Sequence, residues 1–158
     1  MNGSASELKR KIMLKLANDP TIFKLIDNKD IDEDESDDLI YNNIFPYIRV
    51  NYTVQEVGSY ICIKLDYPDI NGNEIYKDAE LTFFVICNFD CMKCNGGYSR
   101  SDLIAERIIE LFDWSDELGF RLKFLSEKEA PIDENFYYKR IIFTSVSPNG
   151  MKNGKKIN

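Results

Sequence analysis

Leu8, Ile12 and Leu16 recur at four-residue spacing with Met13 beside them, while Lys9, Lys11 and Lys15 fall elsewhere on the helical wheel. This pattern predicts an amphipathic helix near the N-terminus. Ser4-Ala5-Ser6-Glu7 ahead of it fits a capping box, in which the Ser4 hydroxyl accepts from the Glu7 backbone N–H and the Glu7 side chain reaches back. Asp19-Pro20 ends that helix and opens a shorter one: Asp19 suits the N-cap, and Pro20 suits the first helical position, where a missing N–H costs nothing. Ile22, Phe23, Leu25 and Ile26 supply its apolar face. Leu39 and Ile40 are placed on one more helical turn before Pro46.

From Ile48 the period changes to two. Ile48, Val50, Tyr52 and Val54 alternate with Arg49, Asn51, Thr53 and Gln55, as a half-buried strand does. Gly58-Ser59 breaks it, and Ile61, Ile63, Leu65 and Tyr67 then mark a second strand. Residues 68–73 carry strong turn chemistry. Residues 79–89 form the most apolar strand, with Leu81, Phe83, Val85, Cys87 and Phe89 on one face and Phe84 and Ile86 on the other, the mark of a central strand. A loop over 90–98 leads to Ser99-Arg100-Ser101-Asp102, a second S-x-x-D cap, which opens a helix with Leu103, Ile104, Ile108, Leu111 and Phe112 as its buried stripe and Trp114 anchoring its end. Phe120, Leu122 and Phe124 alternate with Arg121 and Lys123 as a further strand, 126–135 reads as a charged loop containing Pro131, and 137–146 is the last strand.

Helices, strands, a helix and two strands in that order give an α+β class: a mostly antiparallel sheet of about four to five strands with one helix packed on it, preceded by N-terminal helices. The organisation is one domain: a helical segment at 1–47 with an acidic linker at 27–38, an α+β body at 48–147 and a flexible tail at 148–158. The length of 158 residues fits a single domain. No apolar run approaches the length of a membrane span, and the N-terminus lacks the apolar core of a secretory signal.

Charge sharpens this picture. Net charge is −7, and residues 27–38 hold eight acids against the single base Lys29, so the remainder is electrically balanced. A basic nucleic-acid-binding face is not supported by that balance. Alternating Asp30, Asp32 and Asp34 imitate a calcium loop, but Glu35 stands where glycine is needed and Tyr41 where the bidentate glutamate belongs. The run reads as a solvated linker or as an acidic contact surface for a basic partner. The absence of histidine removes Ser-His-Asp and Cys-His nucleophile activation and His-based zinc catalysis.

Four cysteines are the remaining candidate chemistry. Cys87, Cys91 and Cys94 give C-x3-C-x2-C, and Cys62 lies on the preceding strand. Four thiolates can close a tetrahedral zinc site, although only Cys91 and Cys94 have the spacing of a zinc knuckle. The alternative is free thiols, with Cys62 and Cys87 acting as small hydrophobes inside apolar strands. Asn95-Gly96-Gly97 lacks the lysine of a phosphate loop and reads as a turn. Arg100, Arg107, Arg121 and Arg140 fall on structured elements, as salt-bridged stems or as inter-subunit contacts. Phe136-Tyr137-Tyr138 puts aromatic rings on both faces of one strand, which leaves a side for another subunit to cover. No catalytic residue is identified and no cofactor is expected.

One succession carries further meaning. Asp19-Pro20 precedes an acidic break, followed by Asn43-Ile44-Phe45-Pro46-Tyr47 and Tyr60-Ile61-Cys62-Ile63. Phe83-Phe84-Val85-Ile86-Cys87 then leads to Gly97-Tyr98-Ser99-Arg100-Ser101-Asp102-Leu103-Ile104-Ala105, and Tyr138-Lys139-Arg140-Ile141-Ile142-Phe143 closes the body. Over about residues 19–146 the chain resembles the small neck proteins of tailed bacteriophages, the tail terminator or tail-completion (head–tail joining) class. The resemblance implies a structural virion protein without catalysis that forms a homo-oligomeric ring, commonly a hexamer. It also implies contacts with the tail tube and head-connector proteins, DNA passing through the ring without specific binding, no membrane, and residence in the virion neck after assembly in the host cytoplasm. The cysteine-rich turn at 87–94 departs from the class and leaves the set Cys62, Cys87, Cys91 and Cys94 as a zinc-stabilised alternative. Ile, Asn and Lys total 47 residues against five Ala, which fits an AT-rich genome.

Overall fold

The structure is a computed structural model, and it describes residues 5–49, 57–66 and 79–146. Three α-helices and a five-stranded sheet make up the described chain. Helix α1 spans Ala5–Ala17 and α2 spans Pro20–Ile26, followed by a 3-10 helix at Glu33–Leu39. Strands β1 (Ile44–Phe45), β2 (Ser59–Asp66) and β3 (Glu80–Asn88) lead to α3 (Arg100–Phe112), and β4 (Arg121–Pro131) and β5 (Phe136–Val146) close the fold. The sheet order is β1-β2-β3-β5-β4, with β1 parallel to β2 and every other pairing antiparallel. The α+β class with a mostly antiparallel sheet therefore holds. Among the described residues no helix is long and apolar enough to cross a membrane.

All three helices pack on one face of the sheet. Leu8, Ile12 and Leu16 of α1, Ile22 and Ile26 of α2, and Ile104, Ile108 and Phe112 of α3 join Ile61, Ile63, Leu81, Phe83, Val85, Ile141 and Phe143 in one core. Its centre is aromatic: the Phe83 ring lies 5.0 Å from Phe112 and 5.8 Å from Phe143, the latter edge to face. The other face carries a smaller cluster of Phe45, Cys62 and Ile86, flanked by half-buried Tyr60, Phe84, Phe136 and Tyr138. Among the described residues no helix lies on that face.

Both helix starts follow their sequence signals. The Asp19 carboxylate accepts the Ile22 N–H at 3.0 Å, and the Ser99 hydroxyl accepts the Asp102 N–H at 3.1 Å. Each satisfies an orphan donor of the first turn. Ser4 lies outside the described residues. Helix α2 stops at Asp27, which takes a left-handed conformation (φ 58°) and donates its N–H to the Phe23 carbonyl. Asp tolerates that conformation better than most residues, so the acidic run begins at a helix cap.

Three expectations need correction, and a fourth falls mostly outside the described residues. The acidic run is not a solvated linker over its second half: it winds into the 3-10 helix Glu33–Leu39, with Leu39 fully buried and Ser36 buried beside it. Its carboxylates face solvent while one leucine in seven residues anchors it, a pattern too sparse for a period to register. Residues 126–131 are not loop but the second half of β4, paired from Ser126↔Ile142 to Pro131↔Tyr137 after a bulge at Leu125. Trp114 does not anchor α3; it is exposed, and Phe112 fills the core instead. The strand expected from Ile48 begins outside regular structure at Ile48 and Arg49, and continues into residues 50–56, outside the described residues. The turn at 68–73 and the tail at 148–158 also lie outside them.

Leu39 is the single apolar tether of the acidic helix. Leu39→Ala is expected to cost about 2–5 kcal/mol by the usual toll of a buried cavity. Asp37→Asn, at an exposed position, should change stability by less than about 0.5 kcal/mol. Urea denaturation of both variants checks the contrast, and equal, small effects would mean that the segment is not docked.

Candidate functional site

The cysteine-rich turn is built from both sides. Cys87 ends the apolar run of β3 and pairs in register with Ser59 of β2. Beyond it, the Asn88 side chain accepts the Asp90 N–H at 2.8 Å, and a short 3-10 turn carries Cys91. The Cys91 thiol donates to the Asn88 carbonyl at 3.4 Å and lies 3.7 Å from the Ser59 hydroxyl. Gly96 and Gly97 take positive φ (82° and 83°), which returns the chain so that the Cys94 N–H donates to the Tyr98 carbonyl at 2.8 Å. Arg100 closes the arrangement, its Nε donating to the Cys91 carbonyl at 2.7 Å and a terminal nitrogen to the Leu25 carbonyl at 2.5 Å. The turn is thereby clamped between the start of α3 and the end of α2.

All four cysteines are free thiols, and the sheet divides them. Cys62 pairs with Phe84 and belongs to the small cluster on one face, while Cys87 belongs to the main core on the other. A site holding both would have to close through the sheet. Burial pushes the Cys87 thiol up to about 12, and burial likewise raises Cys62 despite the nearby Arg49. Such thiols resist ionisation and hence metal ligation. Among the described residues, the ligating groups that converge in a trio are Asp32, Asp34 and Glu35, all exposed. A cleft beside them, about 280 Å³, is lined by Asn18 and residues 34–38.

Sequence reasoning missed a second polar assembly. Lys139 of β5, only 8% exposed, reaches Asp102 at the start of α3 at 2.7 Å, Glu127 of β4 at 2.5 Å and Glu129 at 3.7 Å. Burial works against its charge, but the hydrogen bonds it donates to Asp102 and Glu127 outweigh burial and raise its pKa above the ordinary lysine range. Lys139 in turn holds Asp102 below the ordinary carboxylate range. Burial raises the neighbouring Tyr137, with Glu129 adding to the effect. The signal was present in the alternation of Glu127 and Glu129 with Ser126, Lys128 and Ala130, a strand period that charge disguised as loop.

Three of the four singled-out arginines are accounted for within the chain. Arg100 binds the two carbonyls above. Arg107 grips the Asp19 carboxylate bidentately, at 2.9 and 2.6 Å, and ties α3 to the cap of α2. Arg121 lies 3.7 Å from Asp116 and over the Trp114 ring. Arg140 is different: it lies half-buried on the helix-free face, and its Nε is buried with no hydrogen-bond partner.

Two predictions follow from this geometry. Cys91 and Cys94, half-exposed, should react with a maleimide at pH 7.5 in the folded state, while Cys62 and Cys87 react only on unfolding; labelling of all four at one rate would contradict the burial. Burial raises the Asp19 carboxyl, but the Arg107 and Ile22 hydrogen bonds reverse this and leave it below its ordinary value. A depressed folded pKa contributes stability above the unfolded value of about 3.9 and loses it as pH falls through the folded pKa. Asp19→Asn should therefore lower stability at neutral pH and flatten its decline below about pH 4, measured by thermal melts across pH.

Two comparisons bear on what the fold belongs to. No curated protein matches the chain. The sequence model of the YomW family matches residues 19–145, from the cap of α2 to the last turn of β5, and its name is that of a Bacillus phage gene product. The chain thus belongs to the YomW family, which points to a phage-encoded protein.

Proposed function

We propose that the chain is a structural virion protein of the phage neck: a ring subunit that terminates the tail or joins it to the head connector, without catalysis. The observation that carries this reading is the two-sidedness of the body. A subunit of a closed ring needs two unlike surfaces that meet across each contact. Here the helices and the acidic 3-10 helix occupy one layer, and a sheet face with half-buried aromatics, without a helix on it among the described residues, forms the other. The phage-derived family supports the setting. The expected partners are further copies of the chain, the tail tube and the connector, with DNA passing through the ring. A net charge of −7 suits a passage to which the DNA backbone must not adhere.

Native mass spectrometry of the reduced protein, together with a search for it in purified particles, tests this reading. The expected result is a metal-free ring-sized oligomer, or a monomer that is incorporated into tails. Absence from particles would sink the neck role. One zinc ion per chain on a persistent monomer would favour the cysteine turn as a binding module instead.

A further inference from the structure

The helix-free face is charged unevenly. Its residues form rows across the sheet, with Cys62, Phe84, Arg140 and Lys128 in one row and Lys64, Thr82, Ile142 and Ser126 in the next. On the β2–β3 half, acids outnumber bases: Lys64 pairs with Asp66 at 3.3 Å, and a second acid, Glu80, stands in register with Asp66. On the β4–β5 half, this face presents Arg121, Lys123, Lys128 and Arg140, and the positions around them are Ser126, Ala130, Tyr138, Ile142 and Thr144. No acid of β4 or β5 stands among them; the neighbouring acids are Asp116, 3.7 Å from Arg121, and Glu80 of β3, in register with Thr144. Lys123 and Lys128 are exposed. Arg140 has its Nε unpartnered, and among the described residues no carboxylate meets its guanidinium. The buried Nε is out of reach from outside, but Arg140 is only half-buried, and the terminal nitrogens of a guanidinium are suited to an incoming carboxylate.

The matching charge lies on the other layer. Residues 27–38 carry eight acids and one base. Glu33, Asp34, Glu35, Asp37 and Asp38 are exposed, yet buried Leu39 and Ser36, whose hydroxyl is 3.0 Å from the Asn18 side-chain oxygen, hold their backbone in place. The two surfaces sit on opposite layers of one body, so each finds its complement on another molecule, and the contact is head-to-tail.

We propose that the acidic 3-10 helix of one copy docks on the β4–β5 half of this sheet face of a second copy, with Lys128 and Arg140 receiving its carboxylates. This rests on the ring reading and names the contact that builds the ring. Single-stranded nucleic acid is the competing occupant of a basic, aromatic sheet face. The net charge of −7 opposes it, and the Phe84 and Tyr138 rings lie against each other at 6.0 Å rather than free for bases to stack on.

A charge swap on the full chain tests the contact. One variant carries Lys123→Glu and Lys128→Glu; the other carries Asp34→Lys and Asp37→Lys. All four positions are exposed, so both variants should keep the melting curve of the unmodified chain. In sedimentation velocity at low salt, the unmodified protein should assemble and each variant alone should associate at least about tenfold more weakly. An equal mixture should regain assembly, because the reversed edge now matches the reversed face. Variants that assemble like the unmodified chain would overturn this contact while leaving the ring reading standing. A strictly monomeric unmodified chain at its solubility limit would overturn the contact, and its absence from particles would remove the ring reading as well. Capture of a fluorescent oligothymidylate that Lys128→Glu abolishes would assign the face to nucleic acid and overturn the proposal.

Discussion

The packing of Phe112 between Phe83 and Phe143 is the contact on which the rest of the molecule depends. It fixes the last turn of α3 against β3 and β5, two of the three inner strands of the sheet. Once α3 is fixed there, its first turn falls beside the cysteine turn and the β4–β5 hairpin. Arg100 then reaches back to Cys91 and Leu25, and Asp102 meets Lys139. Along the same helix Arg107 takes hold of the α2 cap. One hydrophobic seat thus positions three polar attachments, each too dependent on geometry to form without it. Aromatic contacts of this kind contribute about 0.5–1.5 kcal/mol each beyond the area they bury.

Electrostatics adds direction to this frame. The bidentate Arg107–Asp19 pair and the Lys139 cluster both lie on the helical side and consume charge inside the molecule. What they leave includes carboxylates along residues 33–38, bases on the outer half of the sheet, and the exposed Arg10, Lys11 and Lys24 of the helices. A body that holds charge of each sign in patches on rigid elements presents a patterned surface. Such a surface gains orientation in encounter before any contact is made.

Much of this was legible in the sequence where one residue's role is set by its near neighbours. Asp19-Pro20 and Ser99-x-x-Asp102 announced helix starts because a cap is a three-residue interaction. The apolar run through Phe83 and Phe84 announced a central strand because burial on both faces leaves no polar alternation. The misses share a cause in partners distant along the chain. β1 is two residues long and exists because Ile44 and Phe45 find Ile61 and Cys62 beside them. The acidic 3-10 helix depends on Leu39 reaching a core made by other segments, and the outer half of β4 on the pairing that β5 offers. For the candidate site, the cysteine spacing was visible but the faces were not. The register that sets Ser59, rather than Cys62, opposite Cys87 is a property of the sheet.

The sheet also has a rim. β4 is an edge strand, eleven residues long; residues 113–115 take up its outer backbone groups at Leu122 and the Phe124 N–H, and an edge beyond that point would ordinarily invite another chain to extend the sheet. Three features blunt that invitation: the break in register at Leu125, the run of charged side chains Glu127, Lys128 and Glu129, and a terminal proline at 131 that has no N–H to give. These are the devices by which edge strands escape open-ended aggregation. In the proposed ring such a closed edge would matter, since runaway strand addition is the competing mode of self-association and it has no built-in end.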